Sequence, residues 1–255
     1  MIPPLQLIPL ADFPLVQLGD DLVELLLASL QHNELMLEAG DVLVLAQKIV
    51  SKAEGRYVRL ADVVPGERAQ SLALQADKDP RQVELILRES VEVLRVRPGV
   101  IIVEHRLGYI HANAGIDKSN IPQQEDDPQL LLLPIEPDAS ADGLREGLRQ
   151  RFPVELAVII NDSAGRAWRN GTIGFALGTA GIEPIRNQIG DADLFGRKLE
   201  VTEVAVADEL AAAASFLMGQ AAEGCPVVLV RGASWQASEA GSASLLRDPA
   251  LDMFR

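Results

Sequence analysis

A single cysteine, Cys225, serves a chain of 255 residues, which excludes any intrachain disulfide and removes any call for an oxidising compartment. Histidine is almost as scarce. His32, His105 and His111 show no HxxxH spacing and accompany no cysteine cluster, so the sequence does not support a zinc site. Basic residues fall well short of acidic ones, 23 against 37, for a formal charge of −14. That balance excludes a general nucleic-acid binder and leaves only a local basic pocket open. No apolar run reaches the ~18 residues of a membrane span; the densest, at 130–133 and 227–230, have the length of buried strands. The apolar start, MIPPLQLIPLADFPL, carries three prolines before Asp12 and no basic residue, so it does not read as a secretory leader. The expected location is the cytoplasm. Also absent are the nucleophile elbow G-x-S-x-G, the dinucleotide fingerprint G-x-G-x-x-G and the P-loop pattern.

What is present is globular: 48% hydrophobic and 24% charged residues. One domain over 1–255 is expected, with a division into two subdomains left open and a loose tail over 236–255. Acidic residues followed by leucines predict a helix over 20–31. Segment 40–60 reads as a strand, VLVLA, a polar crossing and a second strand, YVRL. Val83, Ile86, Leu87, Val91 and Leu94 recur at helical spacing and predict a helix over 79–95. GVIIVEHRLGYIHAN predicts a hairpin turning near 106–108, an acidic stretch covers 123–129, and a helix is expected near 140–151. VELAVIIND reads as a buried strand, and GTIGFALGTAGIEPI as glycine-punctuated β structure. VTEVAVADELAAAASFLMG is the best helix, and PVVLVRG a late strand. Hairpins mixed with helices, without βα alternation, give an α+β class with mixed, largely antiparallel sheets.

Four segments have residue types suited to chemistry. In NAGIDKSN (113–120), Asp117 and Asn120 present oxygens three residues apart, an arrangement that an Asx-type turn explains equally well. In IINDSAGRAWRNG (159–171), a strand delivers Asp162 and Ser163 to its end, followed by Arg166, Trp168 and Arg169. That oxygen pair suits Mg²⁺ or Mn²⁺ and the arginines suit phosphate or carboxylate; a tight turn with solvated arginines and a core tryptophan is the competing reading. In QKIVSKAEGR (47–56), Lys48 and Lys52 suit a phosphate, or a solvated charged face. In MGQAAEGC (218–225), two glycines flank Gln220 and Glu223, suiting close ligand approach or a plain helix C-cap.

Together these segments resemble one family. FPLVQLGDDL (13–22), VSKAEGR (50–56), NAGIDKSN, IINDSAGRAWRNGTIGFALGTAGI (159–182), DLFGRKLEVTEVAVADELAAAASFLMG (193–219) and PVVLVRG (226–232) occur in the order found in coenzyme F420:L-glutamate ligases, over most of residues 10–232. The resemblance implies a GTP-dependent ligase. It would activate the terminal carboxylate of the F420-0 precursor as an acyl phosphate, which the α-amine of L-glutamate attacks, releasing GDP and phosphate. Two divalent ions, Mg²⁺ or Mn²⁺, are implied, with K⁺ as a further candidate. By the same resemblance the metal positions are Asp117, Asp162, Ser163 and Gln220. The nucleotide positions are Phe13, Pro14, Leu15 and Val16; Gln47, Lys48 and Lys52; Asn120; and Met218, Gly219, Gln220, Ala221, Ala222, Glu223, Gly224 and Cys225. Arg166 is a candidate substrate contact, and no catalytic acid or base is implied.

The chain departs from the family pattern at two points. Gln47-Lys48 stands where archaeal relatives carry a Ser-Thr pair, and neutral Gln220 stands where they carry a glutamate ligand. An amide oxygen ligates Mg²⁺ or Mn²⁺ less strongly than a carboxylate. The expected form is the free-standing ligase, without the nitroreductase-like domain fused in some relatives, and a homodimer with clefts near the subunit interface. Nucleic acid and membrane are not expected partners. Two other functions remain compatible: a diverged amino-acid ligase acting on another carboxylate, and a non-catalytic phosphoester-binding module.

Overall fold

The computed structural model describes residues 4–123 and 128–254. In chain order it runs β1 (Gln6–Pro9), α1 (Leu22–His32), β2 (Val42–Ala46), α2 (Gln47–Ala53), β3 (Tyr57–Arg59), α3 (Glu67–Ala76), α4 (Pro80–Arg88), β4 (Ser90–Arg97), β5 (Val100–His105), β6 (Ile110–Ala112), β7 (Gln129–Leu131), α5 (Pro137–Arg151), β8 (Ala157–Arg166), β9 (Arg169–Ala180), β10 (Arg186–Asn187), β11 (Glu203–Val204), α6 (Val206–Met218) and β12 (Val227–Arg231). This is an α+β fold with mixed, largely antiparallel sheets. Within the acidic stretch 123–129, residues 124–127 lie outside the described residues. Among the described residues, no helix is long and apolar enough to cross a membrane.

The largest sheet has the order β1-β12-β2-β8-β9, antiparallel except for the β2–β8 pair. Its apolar runs are continuous because both faces are covered. On one face, Leu43, Leu45, Val158, Ile160, Val227 and Leu229 pack with Leu26 and Leu30 of α1, Ile49 and Val50 of α2, and Leu144 and Leu148 of α5. On the other, Val42, Val44, Ala157, Ile159, Val228 and Val230 pack against Ala207, Leu210, Ala211 and Ala214 of α6. The alanines let α6 lie close to the sheet, and the strand beneath must be small as well. A Cβ at Gly174 of β9 would collide with Ser215, with Asn161 and with the Ala211 carbonyl.

A second layer joins β4-β5-β6 to α3 and α4 through Ala69, Ala73, Ala76, Val83, Ile86, Ile101 and Val103. Here the expected helix over 79–95 is corrected. Asp79 caps α4 by accepting from Arg81 N, and Pro80 occupies its first turn, but the helix ends at Arg88. Residues 90–97 form β4, paired with β5, and Val91 is exposed. The sequence VEVLRV satisfies a period of two as well as one of 3.6, and pairing with β5 decides between them. The crossing between VLVLA and YVRL is helix α2, α5 begins at Pro137 rather than near Ser140, and α3 is a helix that the sequence pattern does not single out. The segment after Trp235, expected to be loose, is anchored at buried Ser242, whose backbone N donates to both Asp138 oxygens at 3.0 and 3.1 Å and whose hydroxyl donates to Leu177 O at 2.8 Å.

Candidate active site

The site forms where β2 stops and β8 continues. Their parallel register sets Ala46 opposite Asn161, so α2, which starts at Gln47, begins level with Asp162 of β8. β8 does not end at that pair, as the sequence suggested; it runs on to Arg166 and turns at 167–168 into β9. Trp168 is 87% exposed at that turn, which removes the core-tryptophan reading. Alternation along β8 then divides its polar residues between the two faces. Asn161 and Ser163 reach toward the α6 side, where Asn161 Nδ2 donates to Met218 Sδ at 3.6 Å and Ser163 Oγ donates to Gln220 Oε1 at 2.9 Å. Asp162 faces the other way, its Oδ2 lying 3.1 Å from His111 Nε2.

Asp117 reaches the same face from the 113–120 loop. Its backbone pairs with Leu131 (N–H to O 2.9 Å, returned at 3.0 Å), and Asn113, Ala114 and Gly115 before it all have positive φ. Buried Ala114 in that conformation is strained, a cost that persists only where surrounding structure enforces it. Asp117 Oδ2 accepts from Gln47 Nε2 at 2.7 Å, and Oδ1 lies 3.1 Å from Lys48 Nζ. Burial pushes the Asp117 carboxyl up, and the charge of Asp162 adds to that rise while Lys48 opposes it. Burial likewise pulls the Lys52 ammonium down, helped by Lys48 and opposed by Asp117. For His111, burial acts downward, but the bond to and charge of Asp162, the bond to Ala112 O and the charge of Asp117 outweigh it and hold the imidazole above its ordinary value.

The structure thus gathers Gln47, Lys48, Lys52, Asp117 and Asp162 on one side of β8, and Ser163 and Gln220 on the other. Asn120 ties the two loops together, its Nδ2 donating to Ala221 O at 2.7 Å. In the 218–225 segment, Met218 is buried, Gly219 ends α6 at φ +71°, and residues 220–224 are exposed. Glu223 accepts from Ala221 N at 2.8 Å, and the Cys225 thiol is raised by burial. Phe13 and Val16 are core residues, Pro14 and Leu15 are exposed, and no bond ties them to Asp117. Arg166 is exposed near the hairpin tip, its Nη1 donating to Gly171 O at 3.4 Å. Sequence reasoning passed over His111. Its signal was an inward histidine in the short strand IHA, directly before NAGID.

A family model described as F420-0:Gamma-glutamyl ligase matches residues 11–232. The chain belongs to this family. A protein of Methanothermobacter thermautotrophicus named coenzyme F420:L-glutamate ligase is 46% identical over 253 residues, covering 98% of this chain and 99% of its own length. Proteins of the same name from Methanopyrus kandleri and Archaeoglobus fulgidus are 42% and 40% identical, covering 100% and 98% of this chain and 99% and 96% of theirs.

The family's members are ligases by name, and the donors found here fit a divalent ion of the hard class. Asp117 and Asp162 on one side of β8 offer carboxylate oxygens, and Ser163 and Gln220 on the other a hydroxyl and an amide oxygen, ligand types that suit Mg²⁺ or Mn²⁺. Among the described residues, no three of His, Cys, Asp and Glu gather as a complete metal cage. Any ion held by Asp117 and Asp162 therefore needs further oxygens from what it binds with, as Mg²⁺ usually does with phosphates.

Proposed function

We propose that this chain is a GTP-dependent ligase that adds L-glutamate to the F420-0 precursor in the cytoplasm, as a step of coenzyme F420 biosynthesis. The observation that carries the reading is the pairing of Asp117 and Asp162 on one side of β8 with Lys48 and Lys52 beside them. Alternating carboxylates and ammonium groups in one site match a nucleotide triphosphate that carries its own divalent ions. The names of the relatives supply the substrates.

In the proposed reaction, an oxygen of the acceptor carboxylate attacks the γ-phosphorus and the bond to the β-phosphate oxygen breaks, releasing GDP and leaving an acyl phosphate. The α-amine of L-glutamate then attacks the acyl carbon, the bond from carbon to the phosphate oxygen breaks, and the amine gives up a proton as the amide forms. Lys48 and Lys52 bind phosphate oxygens as point charges. Asp117 and Asp162 hold one divalent ion, and Ser163 with Gln220 contributes to a second. When bound, such ions neutralise the triphosphate and align the attacking carboxylate. Asn120 and the 218–225 loop wall the nucleotide, and Arg166 is assigned to a substrate carboxylate. K⁺ is a further, monovalent candidate. A homodimer belongs to the same proposal, since Leu194, Phe195 and Val201 offer an exposed apolar surface to a second copy.

The test is mass spectrometry of F420-0 after incubation with GTP, L-glutamate and Mn²⁺, with ATP in parallel. Growth by a glutamyl residue, matched by GDP release, supports the reading; no growth with any nucleotide overturns it. An acceptor panel separates a ligase for another carboxylate from a binding module, which would hold nucleotide without releasing phosphate.

A further inference from the structure

Both oxygens of Asp117 are engaged, and the two partners differ in kind. Gln47 is a fixed support: it is 3% exposed, and its Oε1 accepts from the wholly buried Ser51 hydroxyl at 2.9 Å while its Nε2 donates to Asp117. The amide orientation is thereby set, and Gln47 constrains Asp117 without adding charge. Lys48 is the charged partner, on a side chain that reaches solvent. Its side chain is 23% exposed, its four-carbon stem carries the ammonium 3.1 Å from Asp117 Oδ1, and the same nitrogen donates to Ser119 O at 3.2 Å. A cation approaching Oδ1 therefore meets a cation already seated there.

Lys52, one helical turn further along α2, feels both Lys48 and Asp117 and stands next to this pair. Two ammonium groups one turn apart repel each other, and a polyanion arriving between them would relieve that repulsion and give Lys48 a second place to go.

We infer that Lys48 is an internal counter-ion for Asp117 that leaves the carboxylate when a nucleotide triphosphate arrives. The consequence is ordered binding: a free divalent ion is kept out of Asp117, and an ion accompanied by triphosphate is admitted. The inference rests on the proposed reading of Asp117 as a metal carboxylate, and adds to it the order of entry and the residue that enforces it.

The experiment measures Mn²⁺ affinity directly, by calorimetry and by the spectroscopic signal of free Mn²⁺, without and with a non-hydrolysable GTP analogue. Proteins are wild type, Lys48→Met, Lys48→Gln and Asp117→Asn, each first checked for a cooperative melt. Without nucleotide, both Lys48 variants are expected to bind Mn²⁺ roughly tenfold more tightly than wild type, within the usual range of coupling between sites. With the analogue, wild type is expected to gain far more affinity than the Lys48 variants do. Equal Mn²⁺ affinity of wild type and both Lys48 variants without nucleotide, with Asp117→Asn still weakening Mn²⁺ binding in the presence of the analogue, overturns the counter-ion role alone. Unchanged Mn²⁺ affinity in Asp117→Asn overturns the metal reading of Asp117 together with it.

Discussion

Replacing Asp117 with asparagine keeps the shape of the side chain and removes its charge, and the structure gives opposite signs for stability and activity. The amide oxygen can still accept from Gln47 Nε2, now 2.7 Å from Asp117 Oδ2. What is lost is the Lys48 pair at 3.1 Å, a gross attraction of about 5 kcal/mol at an effective dielectric of about 20. Against it stand the burial of the carboxylate and the charge of Asp162, which together push the Asp117 carboxyl up despite Lys48. The folded protein thus disfavours this charge, and its removal is expected to raise the Tm rather than lower it. Catalysis moves the other way. On the proposed role of Asp117 and Asp162 in holding an ion against triphosphate, losing one of the two carboxylates is expected to cost about 3–4 kcal/mol of transition-state stabilisation, a rate loss of about 10²–10³. Product mass spectrometry at saturating Mn²⁺ measures the rate, and calorimetric melting measures the stability. Near-normal turnover would remove Asp117 from the active site, and a Tm drop of several degrees would show that the carboxylate is structural instead.

Much of the fold was legible because its central strands are unbroken apolar runs: VLVLA, AVII and VVLV, each buried on both faces. Capped helices were legible too. Asp21 accepts from Val23 N and Glu24 N at the start of α1, where acidic residues preceding leucines had pointed. Legibility failed where local pattern and tertiary pairing compete. VEVLRV reads as helix by spacing and becomes β4 because β5 offers it a partner. QKIVSKA looked like a polar crossing because its buried side includes Gln47 and Ser51, which bond each other and then Asp117. The candidate site shows the same division. Residue types nominated Asp117 and Asp162, but their approach depends on the β2–β8 register and on the left-handed run 113–115, neither of which a sequence states. His111 stayed hidden because its partner Asp162 comes from a different sheet.

Three further substitutions test separate parts of the account. Lys52→Ala should raise the KM for GTP far more than that for glutamate in steady-state kinetics; equal effects would assign the lysine to the amino-acid carboxylate or to packing. Glu89 probes stability: burial alone would raise its carboxyl, but His105 at 3.5 Å and the bonds and charges of Arg56 and Arg106 outweigh it and hold it below its ordinary value. That stabilisation is present above the unfolded carboxyl's pKa of about 4.3 and is lost as pH falls through the lower folded value. Glu89→Gln should therefore cost about 3 kcal/mol near neutral pH and progressively less in acid; a gap in denaturant stability that does not change with pH would sink this. The last substitution is Gln220→Glu. Gln220 Oε1 accepts from Ser163 Oγ at 2.9 Å, and its Nε2 donates to Ser215 Oγ at 3.4 Å. Glutamate keeps the stronger of these bonds, can accept from the Ser215 hydroxyl where the amide donated to it, and adds a charge on an exposed residue, so the fold should tolerate it. If the amide oxygen belongs to a second ion's ligand set, a carboxylate there holds that ion more tightly and lowers the Mn²⁺ concentration needed for half-maximal activity. The nucleotide then has less of the ion's coordination to supply, so the gain should be larger without a GTP analogue than with it. Equal Mn²⁺ affinity of wild type and Gln220→Glu in both conditions would leave Gln220 as a helix-end residue that merely orients Ser163.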